Sequence, residues 1–375
     1  MMKTNPIYDE RLKKVQACIN HENEHVVGCY MGQGVPPTYS DITLAKYISD
    51  TDAGLKCFID FVNRMNAIAP VDCINFGYPG LIRASLSMMW WSNVKMPGEE
   101  LGENEIWQVD EKKMIQNGDY ELIIKEGSAA VRDRILPQVI DMKKIEQFFA
   151  YHTKDDDMTF QKYTDAGYPV LTSGVSCPPF ETLCGGRSMS AFFMDCYRKP
   201  DLIKEAQDVM LEEQLKMIAS RPVSDYVIGE WIGGWRGASG LVSPKIWDNL
   251  VWPYMHKIAL ALIDRGITPI LHLDQNWNRD LERFLELPAK KCIINTDGMT
   301  DLRIARKVLG DHVAFMGDVP SQMLVVSTPD EVKDYVRRLL DDIGVKGVFL
   351  AAGCDAPTKS KFENLIAIHE VAQEY

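Results

Sequence analysis

The chain has 375 residues, 46% of them hydrophobic, so it can bury a large core without disulfide staples. Its formal net charge of −12 argues against nucleic acid or an anionic membrane surface as partner. No apolar run is long enough to span a bilayer, and the polar start Met1–Glu10 lacks a signal-peptide core, so the expected compartment is the cytoplasm. Nine cysteines, scattered without a repeating spacing, read as free thiols rather than a disulfide framework.

In chain order, Val26–Met31 and Cys73–Phe76 read as strands, with the helical pattern Ala53–Met65 between them. Met88 to Gln108, rich in Trp, Pro and Gly, reads as an excursion. Gln108–Asp110 and Tyr120–Lys125 read as a hairpin covering one end. Pro169–Gly174 opens the regular part. Strands are then expected at Asp225–Glu230, Ile267–His272, Lys291–Asn295, His312–Met316 and Val345–Ala351. Helices are expected at Ser243–Arg265, Asn278–Leu285, Asp301–Leu309 and Phe362–Gln373. Thr328-Pro329-Asp330-Glu331 is a capping box for a helix that buries Val332, Val336, Leu339 and Leu340 and stops at Gly344. Short apolar strands alternating with helices predict a parallel sheet. The fold class is α/β, a single (β/α)₈ TIM barrel over residues 1–375 with an N-terminal excursion.

In such a barrel the functional side chains follow the strands, on the carboxyl face. That position yields Glu230, His272 with Asp274 and Asn276, Asp297, Asp318, and Cys354 with Asp355. His272 and Cys354 are the best metal ligands, because imidazole and thiolate both bind zinc; Glu230 or Asp274 could complete a three-ligand set. His272, Asp274, Glu230 and Asp297 are the candidate catalytic groups. Trp231, Trp235, Trp277, Tyr30, Trp90 and Trp91 are candidates to wall a flat apolar pocket. Arg236, between glycines, is a candidate carboxylate anchor or a structural ion pair. Asp297 and Asp318 could equally cap the helices that follow them, and Asp355 could shape its turn before Pro357. No phosphate loop, Rossmann fingerprint or serine elbow occurs.

The stretches Gly317-Asp318-Val319-Pro320, Gly353-Cys354-Asp355-Ala356-Pro357 and Phe362-Glu363-Asn364-Leu365 carry a resemblance, as do the capped helix from Thr328 and Leu241-Val242-Ser243-Pro244. Together they resemble the uroporphyrinogen decarboxylase superfamily, which includes cobalamin-dependent methyltransferases. The resemblance is good over about residues 225 to 375 and weak before. It implies a TIM barrel of that type. Decarboxylases of the superfamily carry an arginine-rich motif after the first strand, whereas Cys29–Pro37 has no arginine. The aspartate expected after the second strand is also missing from Asn75-Phe76-Gly77-Tyr78-Pro79. A polycarboxylate would lack counter-charges, so porphyrinogen decarboxylation is disfavoured. The coenzyme M methyltransferases resemble a zinc pattern of His-x-Cys with a later Cys. Here it reads His272-Leu273-Asp274 with Cys354, the middle thiolate replaced by a carboxylate.

The resemblance therefore implies a corrinoid-dependent methyltransferase. It would move a methyl group from a small methylated substrate, such as an aryl methyl ether, to cobalamin on a corrinoid protein, with zinc as a candidate second cofactor. Assembly into a homo-oligomer is compatible with such a chain. Two alternatives stand beside this one: a decarboxylase or lyase on a small carboxylic acid anchored by Arg236, and a non-catalytic ligand-binding barrel.

Overall fold

The computed structural model describes residues 5–154 and 156–375, without the side chains of 151–158. Eight parallel strands close into a barrel. They are β1 (Val27–Tyr30), β2 (Cys73–Phe76), β3 (Val170–Ser176), β4 (Gly229–Gly234), β5 (Thr268–Leu273), β6 (Ile293–Thr296), β7 (Ala314–Val319) and β8 (Val348–Ala352). Each pairs with its sequence neighbours, and β1 closes the ring by pairing with β8, Val27 opposite Phe349. Helices connect the strands on the outside, as parallel neighbours require.

The barrel interior is packed, not hollow. Cys29, Cys73, Leu171, Trp231, Ile270, Ile293, Ala314, Met316 and Phe349 meet there. The first helix, Pro6–Ile19, contributes Val15, Cys18 and Ile19 to the same cluster and so plugs the amino end. The carboxyl end is left as the mouth.

The capping box at Thr328 is present: Thr328 Oγ1 accepts from Glu331 N–H at 3.3 Å, and Thr328 N–H donates to the Glu331 carboxylate at 2.7 Å. The helix Pro329–Ile343 buries Val332, Val336, Leu339 and Leu340 as its periodicity predicts. All nine cysteines are free, and only Cys177 and Cys354 are more than slightly exposed. No helix among the described residues is long and apolar enough to cross a membrane.

Two expectations need correction. Gln108–Asp110 pairs with Asn93–Lys95, not with Tyr120–Lys125, which lies inside the helix Asp119–Glu126. That segment follows Gly118 and buries Tyr120 and Ile123 on one face, so its alternation belonged to a short helix. The fourth strand runs Gly229–Gly234 rather than Asp225–Glu230. Its glycines hid it, and the structure shows why they are there. A Cβ on Gly233 would lie 2.1 Å from the Trp235 ring, and one on Gly234 would lie 2.7 Å from Trp277.

Asp318, on β7, is buried and accepts a hydrogen bond from Tyr335 Oη at 2.8 Å. Burial pushes its pKa up to about 6. The folded state thus holds this proton more tightly than the unfolded chain. The associated stability is full below about pH 4 and is lost as pH rises through 6. Asp318→Asn should remove that loss: its melting temperature relative to the parent should rise between pH 4 and 7.

Candidate metal centre and its aromatic wall

His272 is on β5, level with Gly233 on β4 and Asn295 on β6. By strand alternation it shares the inward face with Ile270, and it is buried. Asn295, also buried, donates from Nδ2 to the Met316 carbonyl at 3.1 Å. That leaves its Oδ1 facing His272 Nδ1 at 2.5 Å. An amide oxygen only accepts, so the network assigns the hydrogen to Nδ1 and directs Nε2 into the mouth.

Nε2 meets two further groups there. Asp274 Oδ1 lies at 2.9 Å and Cys354 Sγ at 3.7 Å. The donor atoms of His272, Asp274 and Cys354 all lie within 4.8 Å of one another. With Nδ1 protonated, neutral imidazole presents a lone pair toward a carboxylate oxygen and a sulfur. A cation between them reconciles the three: either a proton on His272 or a metal ion. Burial lowers the His272 pKa, but hydrogen bonds to Asp274 and Cys354 raise it further, to about 10. The same field that holds a proton would hold a divalent cation, and the donor set of imidazole, thiolate and carboxylate fits zinc. The residues present therefore fit the metal that the resemblance implies.

The supporting shell is specific. Trp231, one strand over, stacks on the His272 ring with centroids 4.5 Å apart. Phe76, at the end of β2, packs on Trp231 at 4.6 Å. Trp235 folds back over Gly233, and Trp90 meets it edge to face at 5.1 Å. These aromatics form a wall beside the donor set. Asp297 follows β6 directly and is partly buried. It accepts from Gln275 N–H at 2.9 Å and Met299 N–H at 2.8 Å, so it ties two rim loops together. Its burial raises its pKa. Asp355 accepts from Gln33 N–H at 2.7 Å and is pushed by burial up to about 6.

Other residues singled out in the sequence sit elsewhere. Glu230 is the second residue of β4 and points away from the barrel interior, opposite to Trp231. Its carboxylate is held by Ser176 Oγ and the Arg221 guanidinium. It does not join the donor group; Asp274 takes the third position. The error follows from the misplaced strand, which put Glu230 at the carboxyl end. Tyr30 faces the helices, packed on Phe58 and Phe61 with its hydroxyl on the Gly32 carbonyl, so it does not wall the mouth. Trp91 and Trp277 belong to the same outer core. Asn276 is exposed, and its Oδ1 accepts from Asn278 N–H, a local turn bond.

Arg236 is engaged. Its Nε and Nη2 donate to Glu111 at 3.0 and 2.6 Å, and Nη1 lies 3.9 Å from Glu181. Glu181 was not singled out in the sequence, yet it organises the aromatic loop. Buried on the helix Pro179–Arg187, it accepts from the N–H groups of Trp235, Arg236 and Gly237 at 2.9–3.0 Å. Asn295 was read only as the end of a strand. A polar residue at an inward position beside His272 was the available signal for it.

Asn295→Leu removes the acceptor that fixes the imidazole. Metal affinity should fall by about 10–100-fold while the barrel still folds. Competition with a chromogenic chelator, alongside a thermal melt, reads both quantities.

Fold and rim together define a closed (β/α)₈ barrel with a metal-capable donor set at its mouth. The family model for uroporphyrinogen decarboxylase (URO-D) matches residues 168–375, more than half of the chain, and the chain belongs to that family. Among solved structures, a methyltransferase from Methanosarcina mazei is similar, with a TM-score of 0.62 and 15% identity over 97% of this chain and 98% of that one. A B12-independent methionine synthase from a Shewanella species, in complex with selenomethionine, aligns with a TM-score of 0.45 and 9% identity over 93% and 97% of the two chains. No curated protein matches the chain significantly in sequence.

Proposed function

We propose that this chain is a corrinoid-dependent methyltransferase, which takes a methyl group from a small methylated donor of the aryl methyl ether kind and passes it to cobalamin on a partner protein. The observation that carries this reading is the His272, Asp274 and Cys354 group at the barrel mouth, next to the wall of Trp231, Trp235 and Phe76. The structural likeness to a methyltransferase supports it at the level of fold.

An ether oxygen is a poor leaving group, so negative charge on it must be neutralised as the carbon–oxygen bond breaks. When bound, zinc would supply a Lewis acid for that oxygen. His272, Asp274 and Cys354 would hold it, with Asn295 aiming Nε2. Trp231, Trp235 and Phe76 receive the ring of the donor and exclude water. Asp297 positions the loops that frame the mouth. Reduced cobalamin on the partner protein would supply the nucleophile.

The decarboxylase alternative loses its anchor, because Arg236 is already engaged by Glu111 and Glu181. The test is a mixing experiment: zinc-loaded protein, 4-methoxyphenol and reduced corrinoid protein, followed by the cobalamin spectrum. Conversion to methylcobalamin that depends on both the chain and the metal is expected. A spectrum that stays at cob(I)alamin with this and other methyl donors would reject the reading.

A further inference from the structure

We propose that the mouth selects an uncharged methyl donor and turns away donors that carry a carboxylate. This rests on the methyl-transfer reading and adds the charge class of the substrate.

The wall is aromatic on several sides. Phe76 lies tilted on Trp231 by 60°, and Trp235 covers Gly233, the residue level with His272. Faces and edges so arranged suit a flat neutral ring. The ionised groups around them are acidic. Asp297 accepts from the N–H of Gln275, next to Asp274, and Asp355 directly follows Cys354 and accepts from Gln33 N–H. A divalent ion on the donor set would be taken up by the ether oxygen, which leaves a carboxylate elsewhere on the ring without a cation partner.

Among the described residues, the arginines near the wall are engaged. The Arg236 guanidinium lies over the Trp90 ring at 4.9 Å and is held by Glu111 and Glu181. Arg187 is bound to Asp195, Asn117 and the Ile115 carbonyl, each at 2.8 Å. Arg83 is paired with Glu99 and Glu100. Lys359 is exposed and lines a surface cleft with Thr38, Ser40 and Asn104. A carboxylate entering the mouth would shed its water without gaining a counter-cation, and Asp297 and Asp355 would repel it. A methylated ammonium would suit the charges. Its leaving group is a neutral amine, however, which needs no acid and would leave the donor set without a task.

Isothermal titration calorimetry of the zinc-loaded full chain tests this with three matched probes: 4-methoxyphenol, 4-methoxybenzoate and phenyltrimethylammonium. The phenol should bind about 100-fold or more tighter than the benzoate, and tighter than the ammonium. Trp235→Ala should weaken the phenol about tenfold, which places the bound ring on the wall. Benzoate binding as tight as the phenol would overturn the inference, as would tightest binding of the ammonium, or no binding of any probe. Neutral selectivity without methyl transfer to cob(I)alamin would uphold the inference and reject the methyl-transfer reading. Transfer from 4-methoxybenzoate at the phenol's rate would do the reverse.

Discussion

His272→Ala is expected to lower single-turnover methyl transfer to cob(I)alamin by a factor on the order of 10²–10⁴, and to abolish stoichiometric metal binding. The imidazole is the buried member of the donor group and the one whose lone pair a dedicated partner aims. In the proposed reaction it would stabilise charge that appears only as the bond to the departing oxygen breaks, so the loss should fall on the chemical step. The folded state should survive, because removing the ring leaves Asn295 still donating to Met316. Cys57 serves as the control. It is buried on the helix Thr51–Asn66, outside the donor group, and Cys57→Ala should keep its transfer rate. The check is a rapid-mixing spectrum of each variant beside a thermal melt. A folded His272→Ala protein that keeps most of its activity would make the histidine structural.

Glu181→Ala should give the largest stability loss of any single change at the mouth, about 3–5 kcal/mol. The carboxylate is buried and accepts three backbone N–H bonds from the loop that carries Trp235. Alanine strands those donors away from water and takes one carboxylate from Arg236. The Trp235 loop then loses its anchor, so donor affinity should fall together with stability. Glu181→Gln keeps one acceptor oxygen and should fall between the two. Urea denaturation measures the midpoint of each. A loss below about 1 kcal/mol for the alanine variant would place the carboxylate among weakly coupled surface groups, against its burial.

Much of the barrel was legible because its outer helices and inner strands obey simple periods. The capping box at Thr328 specified its helix to the residue. β5 and β6 were legible from runs of β-branched and aliphatic residues. β4 was not, because Gly229, Gly233 and Gly234 carry no side chain to set an alternation; only the aromatic rings that lie against two of them explain the choice. That single misplacement moved Glu230 to the rim. His272, Asp274 and Cys354 were legible as chemistry, and closure of the barrel sets the carboxyl ends of β5 and β8 on one rim, which brings them together. Tyr30 was misread because its inward or outward direction depends on which face of β1 looks into the barrel, and Cys29 takes that face. Glu181 works through hydrogen bonds to a loop distant in the chain, so periodicity carries no trace of it.

We propose that His272, Asp274 and Cys354 form one metal site. Titration of the full chain with Co(II), followed by absorption, addresses it most directly. One equivalent should bind, with a thiolate-to-cobalt charge-transfer band that disappears in Cys354→Ser. Failure to bind cobalt, or a band unchanged in Cys354→Ser, would contradict it.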